Sequence, residues 1–407
     1  TWLIKTPKKM RYKLIITIFI LALNIPVNAQ NTIEEVLDRI SENNLRIKSI
    51  EEMVKYRHAE YTVGLAPYDP FVSYNHLFGS PGSIGDEREF SVDFTFDFPT
   101  VYAKKNDLAD LRSSHLIYDE LIAKQEILLE AKLICIEIIY YYRRKNELME
   151  RYETAERIEQ YMRTKLNEGD LNIMDVNKAR LQAVTIKSEI DLNEIEITHL
   201  NTKLTELNGG KEISYADTVY PGFELPSFTV LEGEIETYDP LLKHLNSEYR
   251  IIKQEIEVNE ALRLPKIEIG YRYKNQLNGN FNGFHAGISI PLWENNNTVR
   301  TKELQAVYTK SLMDEHINEH YFEVKQLYDR YIAFRNTINE SKDIINSIDN
   351  IPLYERALLA GEISSIEYLL ETTYLYSVID KMDSLEKEMN LTLAELLKHK
   401  LINRYLK

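Results

Sequence analysis

Residues 90–100 carry the clearest alternating pattern of the chain, reading FSVDFTFDFPT. The regular alternation predicts a strand with one apolar and one polar face. Pro99 should end this strand, because proline lacks the N–H that a sheet ladder requires. From Thr100 the apolar spacing becomes helical and predicts a helix over about residues 101–166. At 1.5 Å per residue this helix would be about 100 Å long, which exceeds the depth of one globular core and indicates a coiled-coil partner.

The second half of the chain repeats this arrangement. Residues 266–290 contain two further alternating segments around a turn rich in Asn and Gly, and Pro291 follows them. Pro99 and Pro291 are 192 residues apart, and so are Gly169 and Gly361, which interrupt the long helices. Each half reads helix, strand, strand, proline, long helix, glycine turn, helix. The pattern predicts an internal duplication.

Four segments follow from these patterns. They are a signal peptide (1–29), a first repeat (30–208), a connector (209–238) and a second repeat (239–407). Within the repeats lie a hairpin over 71–98, a turn at 167–172, a hairpin over 266–290 and a turn at 359–364. Further helices are predicted over about 33–61, 173–207, 241–262, 297–350 and from the second turn to 401, whereas the connector is non-periodic.

The N-terminal segment has the features of an export signal. Basic residues between positions 8 and 13 precede an apolar run over residues 14–25, and residues 27–29 (VNA) fit the small-residue rule for cleavage before Gln30. The alternative is a membrane anchor. The apolar run is too short for that, because a helix needs about 20 apolar residues to cross a membrane.

The length and two-faced pattern of the four strands are typical of tilted strands in an outer membrane. The alternative is a pair of hairpins packed on a soluble core. Four strands cannot close a barrel, and lipid does not tolerate an open sheet edge, so spanning strands would require several chains to share one barrel. Two chains would give eight strands and three would give twelve.

In such a barrel the polar strand faces would line water. The expected lumen-facing residues are Asp93, Asp97, Glu268, Arg272 and also Lys274. Each strand would join its long helix through one proline without a loop, so that Pro99 and Pro291 mark the junction of barrel and helices.

Composition narrows the classes of function. The chain has 407 residues with a net charge of −15, which argues against a nucleic-acid surface built on phosphate contacts. Its hydrophobic content of 44% argues against disorder. Cys135 is the single cysteine and is expected to be a core thiol.

Several motifs together resemble those of a known family. They are LPKIEI from Leu264, ISIPLW from Ile288, and two turns of the form Gly-x-x-(Asn/Ser)-x-x-(Asp/Glu), which begin at Gly169 and Gly361. In this order, and with the 192-residue repeat, the chain resembles the TolC-like outer-membrane efflux proteins over nearly its whole exported length.

The resemblance implies a mainly α protein with a small β part. Long antiparallel coiled-coil helices and two β-hairpins per chain would build a homotrimer with a twelve-stranded outer-membrane barrel and an α-helical tunnel. It also implies the outer membrane of a Gram-negative bacterium as location, a periplasmic adaptor and an inner-membrane pump as partners, and passive conduction. The connector would belong to the equatorial region.

The two glycine turns would then form the periplasmic tip, and Asp175 and Glu367 match acidic positions there. Their alternative role is helix capping, because an acid at the third helical position serves free N–H groups. In this chain Lys178 and Leu370 occupy positions where some members have a second acid. Leu358 and Ile363 likewise replace a Tyr and an Arg that lock the closed tip in some members.

Two other functions compete with the channel. His316-Ile-Asn-Glu319-His320 matches the H-x-x-E-H pattern of metallopeptidases, although it lies mid-helix with no enclosing domain. A periplasmic coiled-coil adaptor would share the helical hairpins, but it would not need four two-faced strands that end in proline. We therefore expect a channel without enzymatic activity, cofactor, metal or nucleic-acid partner. The cargo is not identified by the sequence.

Overall fold

The computed structural model describes residues 32–293, 296–348 and 351–402, and the side chains of these residues except 343–348. The predicted signal peptide (1–29) lies outside the described residues. The strands are β1 (Phe71–Leu77), β2 (Glu87–Phe96), β3 (Lys266–Gln276) and β4 (Gly279–Ser289). The helices are α1 (Ile33–Asn43), α2 (Leu45–Tyr61), α3 (Pro99–Glu168), α4 (Ile173–Leu207), α5 (Phe228–Tyr238), α6 (Pro240–Ala261), α7 (Thr298–Ile348), α8 (Ile351–Leu359) and α9 (Ser365–Leu396).

The four strands form one antiparallel sheet in the order β1-β2-β3-β4. The hairpins of the two repeats are therefore joined side by side through β2 and β3, with Phe94 opposite Ile269. The predicted mainly α fold with a small β part is confirmed. The domain boundaries themselves stay predictions.

Buried apolar clusters follow one another along α3, whose 70 residues extend over about 105 Å. Ile138 shares a cluster with Leu204 near the end of α4, whereas Ile158 shares one with Val176 near its start. The two helices are therefore antiparallel, as predicted. Among the described helices, none is both long enough and apolar enough to cross a membrane.

Cys135 lies in one of these clusters and is fully buried. Burial raises the pKa of its thiol to about 12, so that the thiolate is not formed at neutral pH. This agrees with the predicted core thiol.

The single helix predicted over 33–61 is wrong, because Asn44 divides it into α1 and α2. The Asn44 backbone is extended at ψ 128°, and its side-chain oxygen accepts hydrogen bonds from the Arg46 and Ile47 amides. Its side-chain nitrogen donates to the Leu207 carbonyl at 2.8 Å. One asparagine thus caps a helix start and binds the end of α4.

The connector is not wholly irregular, contrary to the prediction for 209–238. It contains α5, whose Leu231 and Ile235 lie one turn apart and are buried against α7 and α9. Their spacing is the signal of an amphipathic helix, which the short length of the segment obscured. The last helix also differs from its prediction, since α9 ends at Leu396 and a 3-10 turn continues to Leu401.

Candidate functional site

The sheet has one continuous apolar face. Phe94 of β2, Ile269 of β3 and Ala286 of β4 stand in one row, and Val92, Tyr271 and Phe284 stand in the next. Phe284 is 90% exposed, so this face is open in the single chain. A cleft of about 620 Å³ lies along these residues. An exposed apolar surface of this kind marks a contact with membrane lipid or with another molecule.

The opposite face carries four of the five predicted lumen-facing residues by their strand register, namely Asp93, Glu268, Arg272 and Lys274. Asp93 and Glu268 converge on His285 of β4, whose Nε2 lies 3.2 Å from a carboxylate oxygen of each. Gly270 stands between Asp93 and His285, and a Cβ there would overlap both side chains. This glycine is what allows the three side chains of Asp93, Glu268 and His285 to meet.

The fifth residue, Asp97, does not fit its predicted place. It lies one residue beyond β2, and only 2% of its side chain is exposed. Its carboxylate pairs with Lys105 of α3 at 3.0 Å and accepts a hydrogen bond from the Tyr68 hydroxyl. Asp97 therefore ties the end of the strand to the start of the long helix, and we correct its expected lumen-facing position.

The two prolines differ in their surroundings. Pro99 occupies the first turn of α3, where its missing N–H costs nothing, and two residues separate the helix from β2. After Ser289, however, residues 290–297 separate β4 from α7. A direct junction without a loop is thus found at Pro99, whereas the same expectation for Pro291 is wrong.

The two glycine turns are built alike in both repeats. Gly169 has φ 85° and Gly361 has φ 74°, and both end their helices with the same pair of backbone hydrogen bonds. The amides of Gly169 and Asp170 donate to Leu166 and Lys165, and those of Gly361 and Glu362 donate to Leu358 and Ala357. These partners keep the 192-residue offset, so the duplication extends to individual hydrogen bonds.

Asp175 and Glu367 have different roles at these turns. Glu367 forms a capping box with Ser364, in which its carboxylate accepts from the Ser364 amide at 2.8 Å. This bond lowers the pKa of Glu367. At the other turn the cap is Asn172, and Asp175 lies 3.9 Å from Lys178. Glu367 therefore forms a capping box, whereas the Asp175 carboxylate lies in the first turn of α4 beside Lys178.

The chain is similar to known proteins in its structure and not in its sequence. No protein-family model and no curated protein sequence matches the chain. Among solved structures, the CusC transmembrane channel is similar with a TM-score of 0.76 and 14% identity, covering 91% of this chain and 92% of that chain. The CmeC outer membrane channel of Campylobacter jejuni gives 0.71 and 13%, covering 91% and 85%. The outer membrane protein VceC of Vibrio cholerae gives 0.71 and 11%, covering 90% and 95%.

The chain has the fold of outer-membrane channels. The resemblance to TolC-like proteins is thereby confirmed at the level of the fold.

Side chains of the first repeat contact α8 of the second repeat close to the two glycine turns. Arg157 of α3 pairs with Glu355 at 3.2 Å, and the Tyr161 hydroxyl donates to the Leu359 carbonyl at 3.5 Å. Leu358 is buried with Ile158 in the cluster beneath.

Further from the tip of the channel fold, acidic groups crowd the contact of α3 with α9. Arg143 binds Asp383 and Glu386 at 3.1 and 2.6 Å. Burial and the neighbouring Asp383 raise the pKa of Glu147 to about 7, although Arg151 opposes the shift. Burial also raises the pKa of Asp383. This contact therefore contains two carboxyl groups whose pKa values burial raises above their ordinary values.

The two histidines of the metallopeptidase motif contact an acidic residue of another helix. His316 and His320 share a helix face as predicted, and they face Asp239 at the start of α6, at 2.6 and 3.9 Å. Burial lowers the pKa of His320. Glu319 is exposed on α7.

Two groupings were missed in the sequence. His285 follows the polar positions of its strand and could have been found from that alternation. His115 and His244 meet only because α3 packs on α6, with their ring centroids 4.2 Å apart. The spacing of His115 and Asp119 by one helical turn was the only local sign of this grouping.

Proposed function

We propose that the chain is the outer-membrane channel of a tripartite efflux or secretion system. It would conduct solutes passively from a periplasmic adaptor and an inner-membrane pump to the exterior of a Gram-negative bacterium. The observation that carries this proposal is the four-stranded sheet with an exposed apolar face, continued at Pro99 by the 70-residue α3. The similarity to outer-membrane channels over about 90% of the chain supports it.

The sheet edges support assembly into a trimer. β1 and β4 form the two edges of the sheet, and their backbone groups need partners in lipid. Pairing of β4 with β1 of the next chain would satisfy them, and three chains would close a barrel of twelve strands. Phe284 and its neighbours would then face lipid, while Asp93, Glu268 and Arg272 would face the water-filled lumen.

The glycine turns would form the entrance at the periplasmic end. They lie at the end of α3 that is farthest from the sheet, about 105 Å along the helix. A cleft of about 500 Å³ lies between the two turns and includes Asp175 and Ser364. The adaptor would dock near this end, and Arg157 with Glu355 would belong to the contacts that keep the two hairpins together.

The rival functions account for fewer observations. A soluble adaptor leaves the exposed apolar sheet face without a purpose. A metallopeptidase leaves the similarity to outer-membrane channels over about 90% of the chain without an explanation.

The test is expression of the full chain with fractionation of the cells. We expect the exported protein in the outer membrane, a trimer in detergent and ion-conducting pores in planar bilayers. Recovery from the soluble periplasmic fraction would favour the adaptor. A trimer without conductance in bilayers would contradict the channel.

A further inference from the structure

A cluster of three possible metal ligands joins the two repeats between α3 and α6. His115 and Asp119 lie one turn apart on α3, and His244 reaches them from α6, with its Nε2 3.0 Å from Asp119 Oδ1. One ligand atom from each residue lies within 4.8 Å of the other two. Ligands of a tetrahedral zinc ion are about 3.3 Å apart, given bonds of about 2 Å. Small side-chain rotations would therefore place all three on one ion.

The protein leaves these rings incompletely bonded. The Nδ1 atoms of His115 and His244 are both buried and have no hydrogen-bond partner among the described residues. A buried nitrogen without a partner is unfavourable by about 1–3 kcal/mol. Neighbouring side chains of the described residues therefore leave one nitrogen of each ring without a hydrogen bond.

The chemistry of the cluster favours a transition metal. Two imidazoles and one carboxylate suit Zn²⁺ and its neighbours, whereas Mg²⁺ and Ca²⁺ prefer oxygen ligands alone. The side chains of His244 and Asp119 are 23% and 34% exposed, which leaves access for an ion and a fourth, water ligand.

We propose that His115, Asp119 and His244 bind a divalent transition-metal ion, Zn²⁺ by preference, which clamps the first repeat to the second. α3 follows β2 directly, and α6 leads into β3. The ion would therefore fix the two helices that continue the paired strands β2 and β3. This role is independent of the proposed channel function.

The test is a titration of the purified full chain with Zn²⁺ in chelator-treated buffer, by calorimetry. We expect the His115→Ala/His244→Ala variant to bind one Zn²⁺ fewer per chain than the wild type. Asp119→Asn preserves the side-chain shape and should weaken this site about tenfold or more. Zn²⁺ should also raise the melting temperature of the wild type by about 2–4 °C, and not that of the double variant.

The matched control is His316→Ala/His320→Ala, which removes another histidine pair from a helix interface and should keep the full stoichiometry. Co²⁺ provides a second readout, since visible absorption bands of a tetrahedral site should appear in the wild type and in this control alone. Equal zinc affinity and stoichiometry in the wild type, the His115/His244 variant and Asp119→Asn would overturn the proposal. Loss of trimer or of helical circular dichroism in the double variant would leave Asp119→Asn as the deciding comparison.

Discussion

Arg151 of α3 donates a hydrogen bond to Asp380 of α9 at 2.7 Å, and this pair joins the first repeat to the second. Only 8% of the Arg151 side chain is exposed, and Glu147 accepts a second bond from it at 3.2 Å. One guanidinium thus serves two carboxylates, while Asp383 adds a third nearby acid. Because burial and the neighbouring Asp383 raise the pKa of Glu147, the contact should respond to pH.

The first prediction concerns this pH dependence. The pKa of Glu147 rises from 4.5 to about 7 in the folded chain. A raised pKa means that the folded state binds the proton more tightly, so its contribution to stability is complete below pH 4.5 and is lost as the pH rises towards 7. The side chain is 35% exposed, which limits the effect to about 1 kcal/mol.

Glu147→Gln should therefore raise the melting temperature at pH 8 and reduce its change between pH 5 and pH 8, measured by circular dichroism in detergent. Glu150→Gln is the control, because Glu150 is exposed on the same helix. The same pH dependence in Glu147→Gln and the wild type would contradict the assignment.

The second prediction compares one substitution at two glycines. Gly361 has φ 74° with no atom within 4 Å of an added Cβ, so Gly361→Ala suffers backbone strain of about 1–2 kcal/mol and no clash. Gly233 also has open space but lies inside α5, where alanine should stabilise the helix by about 0.5–1 kcal/mol.

Hydrogen exchange should therefore become roughly fivefold faster at the amides of Gly361 and Glu362 in the first variant, and slower over α5 in the second. Slower exchange in both variants would mean that the tip turn does not require its left-handed residue.

The third prediction separates the charge of Glu367 from its capping bond. Glu367→Ala removes the acceptor of the Ser364 amide, whereas Glu367→Gln retains one. Exchange at the start of α9 should become about threefold faster in the alanine variant and change little in the glutamine variant. Because the bond lowers the pKa of Glu367, its contribution is present at neutral pH and is lost as the pH falls through that lowered value. Equal exchange in both variants would assign the effect to charge alone.

The fourth prediction concerns Asp175 at the proposed entrance. Asp175→Asn should lower the preference of the pore for cations in planar bilayers, because it removes three carboxylates from the proposed trimeric tip. Asp191→Asn is the control on the same helix, since Asp191 is exposed and also pairs with a lysine, Lys187, at 2.9 Å. An unchanged selectivity in Asp175→Asn, or an equal change in both variants, would exclude an acidic ring at this position.

The regular part of the fold could be predicted because each element repeats a local pattern. The alternation in residues 90–98 specifies the faces of β2, and the offset of Gly169 and Gly361 specifies equivalent turns. The break at Asn44 was not predicted, because only one side of its role is local: Asn44 caps the Arg46 and Ile47 amides, but it also binds the Leu207 carbonyl of a distant helix. The burial of Asp97 likewise depends on Lys105 and Tyr68, which reach it only in the folded chain.

The candidate sites show the same division. The acid at Glu367 was found because a capping box is a local motif. His115 and His244 were missed because they lie on helices of different repeats and meet only after α3 packs on α6. Side chains whose partners are far apart in sequence carry no periodic signal.

The pairing of β2 with β3 has a consequence for the origin of the chain. It joins the second strand of one hairpin to the first strand of the next, and the proposed contact between chains, β4 with β1, has the same form. In such a barrel the strand pair within a chain and the strand pair between chains are therefore equivalent. An ancestor with a single repeat could have closed the same barrel from six copies. Duplication would then have halved the number of subunits without changing the number of strands in the barrel.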